Sequence, residues 1–249
     1  MSSSAELHAV YKIANTPINR FPYPHFYIPE IFPADFYAQM QATLPDPGAM
    51  RPIEEVRPVR GYKERFVMGM EDDSIGKLPE EKQAFWRDLR AWLTGGEFAS
   101  FVLNKFSPYV EERFKDRPDV RFHDEVMLVQ DITRYSLGPH SDSPRKVVTF
   151  LFYLPKDVSQ SHLGTSIYMP KDPRFRCMGG PHYDRANFQR MWTAPFMPNS
   201  LFAFFKTDNS FHGVEPVEDP DCRRWLMLYD IYQVVEPDKP LVPPSPTPA

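Results

Sequence analysis

Residues 133–154 read TRYSLGPHSDSPRKVVTFLFYL, which sets His140 and Asp142 two residues apart just ahead of a long apolar run. On an extended backbone, side chains at i and i+2 project to the same face. The imidazole and the carboxylate are therefore presented side by side. Such a pair supplies two thirds of a 2-His-1-carboxylate facial triad, which holds Fe(II) on one face and leaves the opposite positions open. The third ligand has to come from elsewhere in the chain. His212, in SFHGVEPV seventy residues after Asp142, is the candidate. HxD alone would ordinarily read as two polar residues in an exposed turn, so the surrounding sequence has to decide.

Around this stretch the pattern is that of short strands. Apolar and alternating runs separated by turn residues fall at 126–135, 138–142, 146–154, 165–169, 189–194, 200–205, 211–216 and 223–234. Eight such strands suit a double-sheet jelly roll. Upstream, the FYI of residues 26–28 reads as one more strand, and Pro33-Ala34-Asp35 opens a helix with Phe36, Met40 and Leu44 at helical spacing. Residues 79–114 are helical in pattern: Glu80 and Glu81 favour a helix start, Phe85, Leu89 and Trp92 follow on one face, and Gly95-Gly96 separates a second helix carrying Phe98, Phe101, Val102 and Phe106. A third short helix follows Ser107. The fold class expected is therefore mainly β with flanking helices, as one domain over 1–249: a helical support region at about 30–118, a jelly-roll core at about 119–236, and a proline-rich tail at about 237–249 that is extended and disordered. Residues 1–20 are weakly patterned and predict a frayed start.

Two polar segments stand apart. Residues 46–75 read as a long connection in which Arg51, Arg57, Arg60, Lys63 and Arg65 interleave with Tyr62 and Phe66. Either it is a solvated loop, its charge partly balanced by Glu54, Glu55 and Glu64, or it is a lid over a substrate site. Residues 171–188, KDPRFRCMGGPHYDRANF, offer the same choice between a solvated loop and a pocket wall.

Composition excludes several classes. The chain of 249 residues is 42% hydrophobic and 25% charged with a net charge of −4, ordinary for a soluble globular protein and without the basic signature of a nucleic-acid partner. No apolar run has the length of a membrane span. Two cysteines, Cys177 and Cys222, are too few for a disulfide framework, and the N-terminus lacks a signal-peptide layout, so a cytoplasmic location is expected. The 28 prolines suit a loop-rich β protein better than a helical bundle.

The order TRYSLGPHSDSPRKVVTFLFYLP, LGTSIYMP, PFMPNSLFAFFKTDNSFHGVEPV and CRRWLMLYDIY, over roughly 126–234, resembles the catalytic core of the Fe(II)- and 2-oxoglutarate-dependent oxygenases, specifically the prolyl-hydroxylase-like bacterial group. The resemblance implies a double-stranded β-helix and an enzyme using Fe(II), 2-oxoglutarate and O2. It places His140, Asp142 and His212 on the iron. The basic residue that anchors the far carboxylate of 2-oxoglutarate is one of Arg223 and Arg224, which face opposite sides of a strand. The RRWLMLYD wording favours Arg223, although Trp225 stands where relatives carry a small residue; Arg224 is the alternative. Tyr135 matches a position from which relatives hydrogen-bond the co-substrate, or is simply a packed strand aromatic. Lys146 and Thr149, on the next strand, could line the same pocket but are not counted among the site residues. Of the remaining histidines, His8, His123, His162 and His182 read as surface or structural, and His25, set among aromatics, as a packed structural residue.

The activity implied is oxidation of a C–H bond, hydroxylation by default, in a polar or conjugated small molecule, with release of succinate and CO2. A peptidyl, prolyl-type hydroxylase is the alternative within the family. A jelly-roll protein that binds a metal or a sugar without turnover would share the fold and the histidines. It would not explain a basic residue at the co-substrate position together with all three ligands.

Overall fold

The computed structural model describes residues 3–59, 61–237 and 239–246, so residues 1–2, Arg60, Asp238 and residues 247–249 lie outside the described residues. In chain order the elements are helix α1 (Ser3–Asn15), strand β1 (His25–Ile28), α2 (Ala34–Ala42), β2 (Arg51–Pro52), α3 (Ile53–Val56), β3 (Arg65–Gly69), α4 (Asp72–Ile75), α5 (Glu80–Leu93), α6 (Glu97–Lys105) and α7 (Ser107–Phe114). Eight strands follow: β4 (Phe122–Ile132), β5 (Leu137–His140), β6 (Lys146–Tyr153), β7 (Thr165–Pro170), β8 (Phe188–Thr193), β9 (Ser200–Phe205), β10 (His212–Val214) and β11 (Arg223–Gln233).

The strands form two antiparallel sheets, seven-stranded in the order β1-β9-β6-β11-β4-β3-β2 and four-stranded in the order β5-β10-β7-β8. Strand alternation gives the large sheet two faces. On β11, Met227, Tyr229 and Ile231 pack toward the helices with Phe150, Phe152, Leu128 and Val126. Leu226 and the half-buried Leu228 belong to the other face, with Val129, Leu151 and Val67, and this face meets Leu137, Ile167 and Val214 of the small sheet. The helices brace the first face: of the stripe expected on α5, Phe85 and Leu89 are buried and Trp92 is half-buried, with Trp86 and Leu93 buried beside them, and on α6 Phe98 and Val102 are buried.

Three expectations need correction. The start of the chain is not frayed: α1 buries Ala5, Ala9 and Ile13, a one-in-four spacing whose small residues let the helix lie close to the core while giving a weak hydrophobic signal. The polar connection at 46–75 is not structureless. Its Phe66-Val67-Met68 run is a strand, and β3 pairs along β4 with Arg65 opposite Asp131. The tail is expected to be disordered, but its described residues 239–246 are extended and docked. Val242 N donates to Gln233 Oε1 at 3.0 Å, Arg113 Nη2 and Gln233 Nε2 both donate to Val242 O, and Asp208 N donates to Ser245 O.

Because the buried Arg113 and Gln233 side chains lose these partners when the tail is cut, removing residues 240–249 is expected to lower the unfolding free energy by about 1–3 kcal/mol, the cost of leaving buried polar groups unpaired. Urea unfolding of the full and shortened chains measures this; an unchanged midpoint would mean that the tail lies on the surface without holding it.

Candidate metal centre and anion cluster

β5 ends on His140 and β10 begins with His212, and the antiparallel register places the two opposite one another. Gly213 permits the approach: a Cβ there would lie 2.4 Å from the Leu137 carbonyl oxygen, so a larger residue would push the strands apart. The two imidazole centroids are 4.3 Å apart. Asp142 Oδ1 lies 3.7 Å from Nε2 of each histidine. The three ligand atoms fall within 4.8 Å of one another, and no other group of three metal-ligating side chains converges in this way among the described residues.

Local contacts fix the donors. His140 Nδ1 lies 3.1 Å from Gly138 O and His212 Nδ1 3.0 Å from Ser210 O. A carbonyl only accepts, so each Nδ1 carries the proton and each Nε2 turns its lone pair to the centre, as metal ligation requires. Burial pushes the His212 pKa down to about 3, which keeps that ring neutral. Burial also opposes ionisation of Asp142, but the Lys146 ammonium beside it more than offsets this and holds the carboxyl well below its ordinary range.

The two carboxylate oxygens of Asp142 have separate neighbours. Oδ1 faces the histidines, while Oδ2 accepts from Thr149 Oγ1 at 3.2 Å and lies 3.3 Å from Lys146 Nζ. Lys146 also makes an ion pair with the buried Asp230, at 3.1 Å. Two neutral imidazoles and one carboxylate oxygen, converging with their protonated nitrogens turned away, fit a divalent first-row metal of the facial-triad type.

The same cavity, lined by Asp142, His212, Lys146, Leu226 and Leu228, also reaches Arg224 and Arg65. Here the fully buried Asp131 holds two guanidinium groups. Arg65 Nε and Nη2 donate to its two oxygens at 2.7 and 2.9 Å, and Arg224 Nη1 donates to Oδ2 at 2.7 Å. Burial works against the Arg65 charge, but Asp131 more than compensates and raises its pKa. Arg224 Nε donates to Leu163 O at 2.7 Å, while its Nη2 and the hydroxyl of the buried Tyr135 have no protein partner. The Arg65 guanidinium lies 4.5 Å from the Tyr135 ring centroid.

The preference for Arg223 as the inward residue is therefore corrected: Arg223 is exposed, whereas Arg224 is 1% exposed. Alternation is the reason. Trp225, the residue that departs from the family wording, packs with the helix-facing core, and Arg223 shares its side of β11. Tyr135 is both packed and beside the arginine cluster, so the two readings of it are compatible.

Arg65, Asp131 and Asp230 were not singled out as site residues from the sequence. Asp131 in VMLVQDI and Asp230 in WLMLYDIY are carboxylates inside apolar strands, and that was the available signal. His182 stands closer to the centre than its sequence suggested. Its ring centroid is 4.7 Å from that of His140, and its Nε2 lies 2.7 Å from Tyr62 Oη, so the two polar segments meet above the triad. The second segment is clasped to the small sheet by Arg185, whose Nη2 donates to Leu137 O and Val214 O.

No family profile and no curated protein matches the chain by sequence. Solved structures match it in fold. The dioxygenase for auxin oxidation 1 from Arabidopsis thaliana, in its 2-oxoglutarate complex, superposes with a TM-score of 0.53 at 11% identity, covering 96% of this chain and 92% of that one. SnoK, a non-heme alpha-ketoglutarate-dependent carbocyclase from nogalamycin biosynthesis, gives a TM-score of 0.50 at 14% identity, covering 97% and 92%. The chain has the double-stranded β-helix fold of the Fe(II)/2-oxoglutarate-dependent oxygenases.

Proposed function

We propose that this protein is an Fe(II)- and 2-oxoglutarate-dependent dioxygenase that oxidises a C–H bond of a polar small molecule, by default through hydroxylation, with release of succinate and CO2. The observation that carries the reading is one cavity with a cation-binding triad at one part and a buried two-arginine cluster at another. Iron bound with 2-oxoglutarate and O2 would supply the oxidising chemistry. The protein's own residues bind and orient. His140 and His212, each through Nε2, and Asp142, through Oδ1, would hold the metal. Arg224, presenting an unpartnered Nη2 beside the free Tyr135 hydroxyl, suits the far carboxylate of 2-oxoglutarate, since a guanidinium fork matches a carboxylate. Arg65 adds a second charge to the same cluster and keeps Asp131 from neutralising Arg224 outright. Leu226, Leu228 and Leu151 form an apolar floor between the two groups and exclude water from it.

A small molecule fits better than a peptidyl residue because Tyr62 and His182 join across the space in front of His140, which narrows access to the triad. The two structural relatives are named for auxin oxidation and for carbocyclisation in nogalamycin biosynthesis, chemistry on small molecules.

His140→Ala, Asp142→Ala and His212→Ala are each expected to abolish substrate-stimulated succinate release while the unfolding midpoint stays near that of the parent protein. Metabolite pools screened for succinate production supply the assay; parental turnover by His212→Ala, after checking its metal content, would remove the triad from the mechanism. In the same assay Arg224→Ala is expected to raise the 2-oxoglutarate concentration for half-maximal rate by at least about 30-fold, equivalent to the ~2 kcal/mol lower limit for breaking a buried charged pair. Arg223→Ala, at an exposed side chain, should leave it within about twofold. Equal, small effects from the two would place the anchor elsewhere.

A further inference from the structure

Asp230 lies in the middle of β11, in an otherwise apolar run, and is 3% exposed. It touches no proposed iron ligand. What it touches is Lys146, at 3.1 Å, and the same ammonium lies 3.3 Å from Oδ2 of Asp142. Tyr232 Oη donates to the other Asp230 oxygen at 3.3 Å, which orients the carboxylate. One lysine is thus shared between two buried carboxylates, and formally one negative charge is left over.

The geometry points to Asp230 as a positioning residue for the metal centre, which acts through Lys146 by sharing its charge and so leaves Asp142 free to ligate. This rests on the reading of His140, Asp142 and His212 as metal ligands. A lysine paired with Asp142 alone would compete with a divalent cation for the same carboxylate. Pulled also toward Asp230, it holds only Oδ2, where Thr149 Oγ1 donates as well. That arrangement leaves Oδ1 as the ligand oxygen and discourages bidentate binding, which would occupy a position needed by co-substrate or O2. The excess negative charge also favours a cation at the triad.

The test is Co(II) affinity, followed by the visible absorption of the bound ion, in the parent protein and three variants, with apo-protein unfolding measured alongside. Asp230→Asn keeps the shape, removes the excess negative charge and leaves Lys146 to Asp142. It should bind Co(II) about 10–100-fold more weakly, the usual scale for residues that orient metal ligands. Lys146→Met combined with Asp230→Asn removes one charge of each sign, restores the local balance and should bring the affinity back close to the parental value. A purely structural role for Asp230 predicts no such recovery. Lys146→Met alone should bind Co(II) more tightly than the parent, and this keeps the inference testable if Asp230→Asn does not fold. Unchanged affinity in Asp230→Asn, a double variant as weak as the single, or weaker binding by Lys146→Met would each overturn the inference while leaving the metal site in place. A parent protein that binds no Co(II), or a His212→Ala variant that binds it equally well, would instead overturn the ligand assignment and this inference with it.

Discussion

Asp131 holds two guanidinium groups where solvent cannot share the charge, and the layout of the cavity depends on that imbalance. Buried ions persist only when paired and hydrogen-bonded, yet here two arginines meet one carboxylate, with Arg224 keeping one nitrogen unpartnered. The other cluster has the opposite sense: Asp142 and Asp230 meet one ammonium. Formally the first carries one positive charge in excess and the second one negative charge. A dication at the triad and a dicarboxylate reaching Arg224 would each enter at the cluster of complementary sign, and their charges cancel. The two clusters thus balance one another in the protein alone, and do so again with both groups bound.

A single strand sets these clusters apart. β11 turns Arg224, Leu226 and Leu228 to the cavity because alternate residues share a face, with Asp230 next along that face against Lys146, and the register with β4 brings Asp131 opposite Arg224. A one-residue slip of β11 would bring Arg223 and Trp225 inward and leave the buried Asp131 without Arg224. The pairing of β11 with β4 over its whole length, together with the buried Met227, Tyr229 and Ile231 on the opposite face, holds the register. Core packing on one side of the sheet therefore decides which charges stand on the other.

This explains how much of the molecule could be read from the sequence. Strand positions followed from alternation and turn residues, so the jelly roll and the convergence of His140, Asp142 and His212 were legible, the first two residues by spacing and the third by its place in the motif order. The choice between Arg223 and Arg224 was not, because alternation gives two faces and leaves open which is inside; Trp225 decides it only once the aromatic core on the helix side is known. Arg65 was hidden for a related reason. It begins a five-residue strand set within a charged connection, and its partner Asp131 is distant in sequence. The docking of α1 and of the tail depends on small residues and backbone hydrogen bonds, which leave little trace in hydropathy.

The triad residues sit at strand ends and in turns, where backbones are least constrained, and the structure compensates from outside. Lys206, fully buried, donates to Ser141 Oγ, between His140 and Asp142, and to Thr207 O, ahead of His212, and so ties the two ligand-bearing segments together. Burial pushes its pKa down to about 8, the sign of a charge held in a place that does not favour it. Arg113 donates to Pro144 O and Lys146 O from the helix side, and the tail meets Asp208 through Ser245. Buried cations bound to backbone carbonyls are a costly way to hold turns, because each charge is desolvated for the sake of neutral acceptors. Their concentration around the turns that carry His140, Asp142 and His212 is what a centre needs when its ligands must be held before the metal arrives.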